Sequence, residues 1–387
     1  MAGLLSRLLR RTETRSTPSA VASWPGFATA FGAGRTASGA YVSPHLAENL
    51  ATVLACVNAI SSTLASCTPR VYRITPNGRE ELPAHPVAAV LRRPNEDQTW
   101  PDLVEWGMPQ TLLHGNALFA IGYDAAGRVV SLRPLPWGRV QMMRLTSGRI
   151  AYDVVQDTGV TRRYFAEEVF HLRDRTDDGL IGRSRISRAR EALGNAQALQ
   201  DWSSSMWRNG LKPSGWFTAS TYLKEPDRVR AQAIIDSYAG SMNAGRPVLL
   251  EGGWKWETAA STLADAETLA SRRFSVEEIC RVFGVPPPIV QDLSHGTFTN
   301  SREAARWFAQ FTLAPWARKI EAEFRRSVFS AAEPNVILEI DMSDLLRGDA
   351  EARWQSHKIA VEAGILDPDE VREIEGWNPR PAKAPAP

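Results

Sequence analysis

Two long amphipathic helices with a small module spliced between them constrain this chain more than any other feature. Over 183–209, Ile186, Ala189, Leu193, Ala196, Leu199, Trp202 and Met206 recur at steps of three and four, and Asn209-Gly210 closes the pattern. A second helix over 263–283 stops at Gly284 and Pro286-Pro287-Pro288, because proline offers no amide and clashes with the preceding turn. At ~1.5 Å per residue the first helix spans roughly 35–40 Å, enough to cross a domain. Between the two, residues 211–261 read as a small α/β insertion. It has a strand at 215–219, a helix at 226–238, and a hairpin of 247–251 with 254–257 turning on Gly252-Gly253. Antiparallel helices hold such an insertion at the far end of a two-helix stalk. That layout suits an assembly presenting a module to a docking partner better than it suits a monomeric enzyme.

The flanking sequence is α+β in character. Residues 1–43, rich in Gly, Ser, Thr and Ala, read as a flexible arm, with order starting where Ser43 caps a helix and Pro44 suits its first turn. Leu50, Val53, Leu54, Val57, Ile60 and Leu64 continue at helical spacing up to Pro69. A strand at 70–74, a turn at Pro76-Asn77-Gly78 and a helix at 100–114 follow. Short strands at 117–123, 129–132, 139–145, 149–155 and 169–172 assemble most simply into one helix-flanked antiparallel sheet. The loop Ser294-His295-Gly296-Thr297-Phe298-Thr299 leads into a third helix over 301–329, which Pro315 should kink. A strand at 336–340, two short helices and a Pro/Ala tail complete the chain.

Composition excludes more than it assigns. A formal net charge of +2 over 387 residues announces no global basic field for nucleic acid. Thirteen Trp suit subunit contacts, where large amphipathic rings are favoured, or an equally bulky monomeric core. Cys56, Cys67 and Cys280 form no CxxC pair, and Cys56 and Cys280 fall on apolar helical positions as small buried hydrophobes. A reducing cytosol is therefore the expected place of folding. The Arg-rich start has no apolar core before a cleavage site, so no signal peptide is expected, and no run approaches ~18 apolar residues.

The catalytic motifs are missing. No Gly-Lys dipeptide exists to build a phosphate-cradling Walker loop, and there is no HExxH or Gly-x-Ser-x-Gly. Asp174, Asp177 and Asp178 sit in a turn with Gly179, where Asp bonds the backbone, and read as turn residues rather than a metal cluster. His171 and His114 read as satisfied structural residues. His295 lies in a polar loop without an apolar stripe. Arg183, Arg185, Arg188 and Arg190 crowd a helix start, where the dipole disfavours cations, so something acidic must compensate. Asp177, Asp178 and Glu191, a neighbouring subunit's carboxylate, or DNA phosphate would each serve.

What remains is a series of punctuated blocks. These are Ala55-Cys56-Val57-Asn58-Ala59-Ile60, Leu113-His114-Gly115-Asn116-Ala117, Glu168-Val169-Phe170-His171-Leu172 and Asp178-Gly179-Leu180-Ile181-Gly182. Further on come Pro247-Val248-Leu249-Leu250-Glu251-Gly252-Gly253, Arg281-Val282-Phe283-Gly284-Val285-Pro286-Pro287 and Thr312-Leu313-Ala314-Pro315-Trp316. Asp344-Leu345-Leu346-Arg347-Gly348-Asp349, Gly364-Ile365-Leu366 and Gly376-Trp377-Asn378-Pro379 end the series. In this order they resemble the portal proteins of tailed bacteriophages and of gene transfer agents.

The resemblance implies a ring subunit, usually one of a dodecamer, with no catalytic residues, metal or cofactor. It implies a wing over 44–183 and a stem helix over 184–210. A clip follows over 211–261, a second stem helix over 262–290 and a tunnel loop over 291–300. A kinked helix and strand over 301–345 return to the wing, and 346–387 form a reduced crown with a tail. Ser294, His295, Gly296, Thr297, Phe298 and Thr299 would face DNA in the tunnel. Lys224, Arg228, Trp254 and Lys255 in the clip would dock the large terminase and later the head–tail connector. Arg183, Arg185, Arg188 and Arg190 would meet phosphate or a neighbouring subunit. The implied partners are other copies of the chain, terminase, connector, major capsid protein and double-stranded DNA, with no membrane. The implied place is a capsid vertex of a virion assembled in a bacterial cytoplasm. A metal-dependent DNA-processing enzyme would instead need converging carboxylates, which the sequence leaves scattered. A non-portal phage adaptor or minor capsid protein would lack the channel.

Overall fold

The computed structural model describes residues 34–76, 78–208, 215–218, 224–238, 255–258, 262–293, 298–342, 350–375 and 377–378. Order is present by Gly34, ahead of Ser43. Strands β1 (Gly34–Arg35) and β2 (Tyr41–Val42) form a hairpin, followed by the one-turn helix α1 (Pro44–Ala47). Ser43 caps α1, its hydroxyl accepting from Leu46 N–H, but the helix then breaks and restarts as α2 (Ala51–Ser66). Strands β3 (Thr68–Thr75) and β4 (Gly78–Glu81) and helix α3 (Pro86–Arg92) follow.

Helix α4 (Trp100–Pro109) runs into a π-helical turn, Gln110–His114. The strands after it are β5 (Asn116–Tyr123), β6 (Val129–Leu135), β7 (Val140–Arg144), β8 (Ile150–Val155), β9 (Thr161–Phe165) and β10 (Val169–Arg173). They do not form the single sheet expected from sequence. Three-stranded antiparallel sheets arise in the orders β10-β5-β6 and β7-β8-β9, while β3 and β4 join the distant β13 (Val336–Asp341) as β13-β3-β4. The division has a packing cause. In β5, Ala117, Phe119 and Ile121 point into the main core, and Leu118 between them points into a second core around the fully buried Trp137. A sheet buried on both faces needs a second layer, and β7-β8-β9 supplies it with Met142, Tyr152 and Tyr164.

The first long helix is also divided. Ser184 caps a single turn, α5 (Arg185–Arg188), with its hydroxyl accepting from Ser187 N–H. Ala189 leaves helical geometry (φ −106°, ψ 27°) before α6 (Arg190–Arg208). The β1–β2 hairpin is fixed on α6. Ala37 N–H donates to Glu191 at 3.0 Å, and a Cβ on Gly194 would lie 2.3 Å from the Thr36 methyl, so only glycine admits this approach. The insertion contributes β11 (Gly215–Thr218), α7 (Glu225–Tyr238) and β12 (Lys255–Thr258), with β11 and β12 paired antiparallel. The expected arm at 247–251 lies outside the described residues. Helix α8 (Thr262–Phe283) packs against α6.

Helix α9 (Phe298–Trp307) starts three residues before the expected position. Asn300 and Ser301, offered by the sequence as caps, lie inside its first turn. A π-helical segment, Phe308–Leu313, joins α9 to α10 (Ala314–Ser327). Pro315 thus falls in the first turn of a new helix, its missing N–H accommodated beside a widened turn. Pro109 instead ends α4, directly before the other π-helical turn. After β13 come α11 (Ala350–Glu362) and α12 (Pro368–Ile374). No helix among the described residues is long and apolar enough to cross a membrane.

Candidate functional site

The blocks singled out in the sequence meet at the root of the two long helices. Gly115, at φ +84°, ends the π-helical turn after α4 and lets Asn116 enter β5 fully buried. The Asn116 amide closes a two-way pair with Gly182: its Nδ2 donates to the Gly182 carbonyl and its Oδ1 accepts from Gly182 N–H, both at 2.8 Å. The same Oδ1 lies 3.0 Å from His171 Nε2, and His171 Nδ1 lies 3.1 Å from the Tyr152 hydroxyl. An acceptor on one side fixes the tautomer: Nε2 carries the proton and Nδ1 accepts from tyrosine. His171 also stacks on Trp137, and its backbone N–H donates to the buried carboxylate of Glu323, which Arg326 holds from one turn on. Three blocks from 113–117, 168–172 and 178–182 therefore form one buried polar knot.

Burial, reinforced by the nearby Arg173 and Arg326 charges, holds the His171 imidazole well below its ordinary pKa, and burial pushes Tyr152 up to about 12. Burial also lowers His114. A histidine kept neutral in the fold stabilises it fully above the unfolded value of ~6.5. That stability is lost as pH falls through this value toward the lower folded one. Stability is expected to drop as pH falls below about 6.5, by up to about 1.4 kcal/mol per pH unit for His171. Urea midpoints measured across that range should show a shallower pH slope for His171→Gln than for the wild type.

A second set of contacts ties the knot to the long helices. Arg185 donates through Nε to Asp174 at 2.7 Å and through Nη1 to the Phe283 carbonyl at 2.8 Å and the Val282 carbonyl at 3.3 Å. Its guanidinium lies over the Trp316 ring, 5.4 Å from the centroid. These carbonyls are the unpaired last acceptors of α8, so one arginine joins the start of the first long helix to the end of the second. Gly284, at φ +72°, terminates α8, and its carbonyl accepts from the Thr312 hydroxyl. Asp174 N–H donates to the Gly115 carbonyl, linking this clasp to the knot. The blocks at 281–287 and 312–316 thereby join the other three.

The four arginines named from sequence are placed by this arrangement. Arg183 and Arg188 both bond Asp177, and Arg185 bonds Asp174. Asp178 and Glu191, considered as partners, instead accept backbone N–H groups from Leu180, Ile181 and Ala37. Arg190 lies against Gly34, with its guanidinium where a Cβ would stand. In the insertion, Lys224 caps α7 with its carbonyl, and Arg228 is exposed, 3.9 Å from Glu225. Lys255 pairs with Thr218 across the two strands. Trp254, Ser294, His295, Gly296 and Thr297 lie outside the described residues. Phe298 and Thr299, expected in a loop, are the first residues of α9.

Cys56 and Cys280 are buried, as their helical positions implied. Among the described residues, no three His, Cys, Asp or Glu side chains gather as metal ligands. Sequence reading passed over Arg185 as a clasp, Tyr152 and Glu323. Only the Glu323-x-x-Arg326 spacing offered a signal, as an i,i+3 ion pair.

A structural joint, built from glycines, prolines and paired charges, is the class of site these residues define. The chain belongs to the phage portal protein family, whose model matches residues 51–376. It is 31% identical over 340 residues to the portal protein of Enterobacteria phage HK97, covering 86% of this chain and 80% of that one. It is 30% identical over 361 residues to the probable portal protein of Streptomyces phage phiC31, covering 89% and 78%. The fold is similar to a chain of the virion of a native gene transfer agent particle, with a TM-score of 0.62 at 22% identity over 98% of this chain and 99% of that chain. Portal proteins are structural components, and this chain is one of them.

Proposed function

We propose that this portal protein forms the ring at one capsid vertex, through which double-stranded DNA enters during packaging and leaves on ejection. The observation that carries the reading is the pair α6 and α8, packed together and clasped at one root, with the β11–α7–β12 module inserted between them. In this reading the joint transmits load between a wing, made of the three sheets and their helices, and a stem made of α6 and α8. The inserted module is the clip, the docking face for the packaging terminase and then for the head–tail connector.

Near-neutral charge fits a conduit, since each firm phosphate contact would resist sliding. At the joint, Asp174 and Asp177 engage Arg183, Arg185 and Arg188 within the chain.

Lys224 and Arg228 are exposed at the start of α7, where a partner can reach them. Reversing both, Lys224→Glu with Arg228→Glu, is expected to weaken terminase binding about tenfold while leaving assembly intact. Surface-coupled binding assays on preassembled protein check this. Unchanged terminase affinity would move the docking face away from the insertion.

A further inference from the structure

We propose that successive copies of this chain meet through two different patches. One is the aromatic outer face of α9 and its π-helical extension; the other is the turn of the C-terminal pair α11–α12 on the next copy. The proposal rests on the ring reading above and adds to it the faces that close the ring.

The first patch follows from helix periodicity. Ala304, Phe308, Ala309, Thr312 and Leu313 are buried, so the opposite face shows Glu303, Arg306, Trp307, Gln310, Phe311 and Arg318 to solvent. Trp307 and Phe311 are 62% and 66% exposed and pack edge to face on each other at 6.3 Å. Two large rings held together in water are a preorganised contact, since little side-chain freedom remains to be lost on binding. Arg306 and Arg318, with side chains 73% and 84% exposed, give this face a cationic rim, each with one acidic neighbour a turn away, Glu303 at 3.7 Å and Glu321 at 4.0 Å.

The second patch lies on a helix pair held by its own buried polar cluster. Glu375 accepts from Arg353 at 2.7 Å and lies 3.0 Å from His357. Around it Trp354 packs on Trp377, and Ile359 and Ile365 stand out into solvent. The rim here is acidic on balance, with Glu362, Asp367 and Glu370 exposed about the turn against Lys358, which lies 3.7 Å from Glu362.

Charge decides how these faces pair. A contact of either patch with its own copy would bring Arg306 and Arg318 onto their counterparts, or Glu362 and Glu370 onto theirs, so each patch takes the other as its partner. A head-to-tail contact sets the cationic aromatic face against the acidic apolar one, and a head-to-tail contact whose rotation closes is a ring. The occupant of the α9 face is therefore the α11–α12 turn of a second copy, with Trp307 as its anchor.

The test is the assembly equilibrium of the full chain, read by mass photometry across concentration at low salt. Trp307→Ala should raise the half-assembly concentration more than about tenfold, with the melting temperature of the dissociated monomer unchanged because the indole is exposed there. Arg306→Glu and Glu362→Arg should each weaken assembly several-fold, and the double variant should return to within about twofold of wild type. Singles that weaken assembly without rescue in the double, or Trp307→Ala without effect, overturn the pairing while wild-type rings keep the portal reading. A wild type that never leaves the monomer overturns the ring reading and this contact with it.

Discussion

Replacing Gly182 with alanine is expected to leave little folded protein. A Cβ there would lie 1.9 Å from the Gly115 carbonyl oxygen and 2.9 Å from the Asp174 amide nitrogen. Both are backbone atoms of elements fixed on opposite sides, so neither can move without opening the knot. Gly115 faces the same limit from the other strand, at φ +84° with a Cβ 2.4 Å from the Gly182 carbonyl. Opening it separates the Asn116 amide from both Gly182 groups and leaves buried polar atoms unpaired, at about 1–3 kcal/mol each. The total is expected on the order of 4 kcal/mol or more, a large share of a domain's stability. Soluble yield and urea midpoint measure it. A Gly182→Ala protein within about 1 kcal/mol of wild type would show that the two glycines do not meet.

Arg185→Ala is expected to cost about 3 kcal/mol, because Asp174, only 9% exposed at the side chain, loses its ion-pair partner and keeps the Arg175 N–H and the more distant Lys319 charge. It also frees the Val282 and Phe283 carbonyls and removes one of the two cations over Trp316, leaving Lys319. The double change Arg185→Met with Asp174→Asn should recover much of the loss, since both charges leave together. Arg183→Ala provides the contrast. Its pair with Asp177 is half exposed, and such pairs contribute about 0–1 kcal/mol. Urea titration of the three variants beside the wild type separates the clasp from a surface pairing. Equal losses at Arg183 and Arg185 would remove the reason to place a joint at Arg185.

Much of this fold was legible in the sequence, for a local reason. The stops at Gly284 and Pro286, the turn glycines and the stripe from Leu193 act within one or two turns of chain. Pairings that depend on distant segments were not legible. β3 joins β13 across more than 250 residues, and no local pattern states that; nor does one state that the strands divide into separate layers. The division of β5 between two cores needed the second layer to be known first. The π-helical turns beside Pro109 and Pro315 change the helical period too little, over five or six residues, to register in an apolar stripe. The blocks were visible as punctuation, but their meeting at Asn116, His171 and Arg185 rests on single polar residues far apart in sequence. The C-terminal acid turn and the Trp307–Phe311 pair were visible only as composition, in the abundance of tryptophan.

The central claim is that this chain builds a ring with a passage through it. Electron microscopy of the purified full-length protein tests that claim most directly. The account predicts closed rings of about twelve copies with an open central channel, joined by one repeated head-to-tail contact. Monomers, or two-fold dimers with no channel at any concentration, would contradict it.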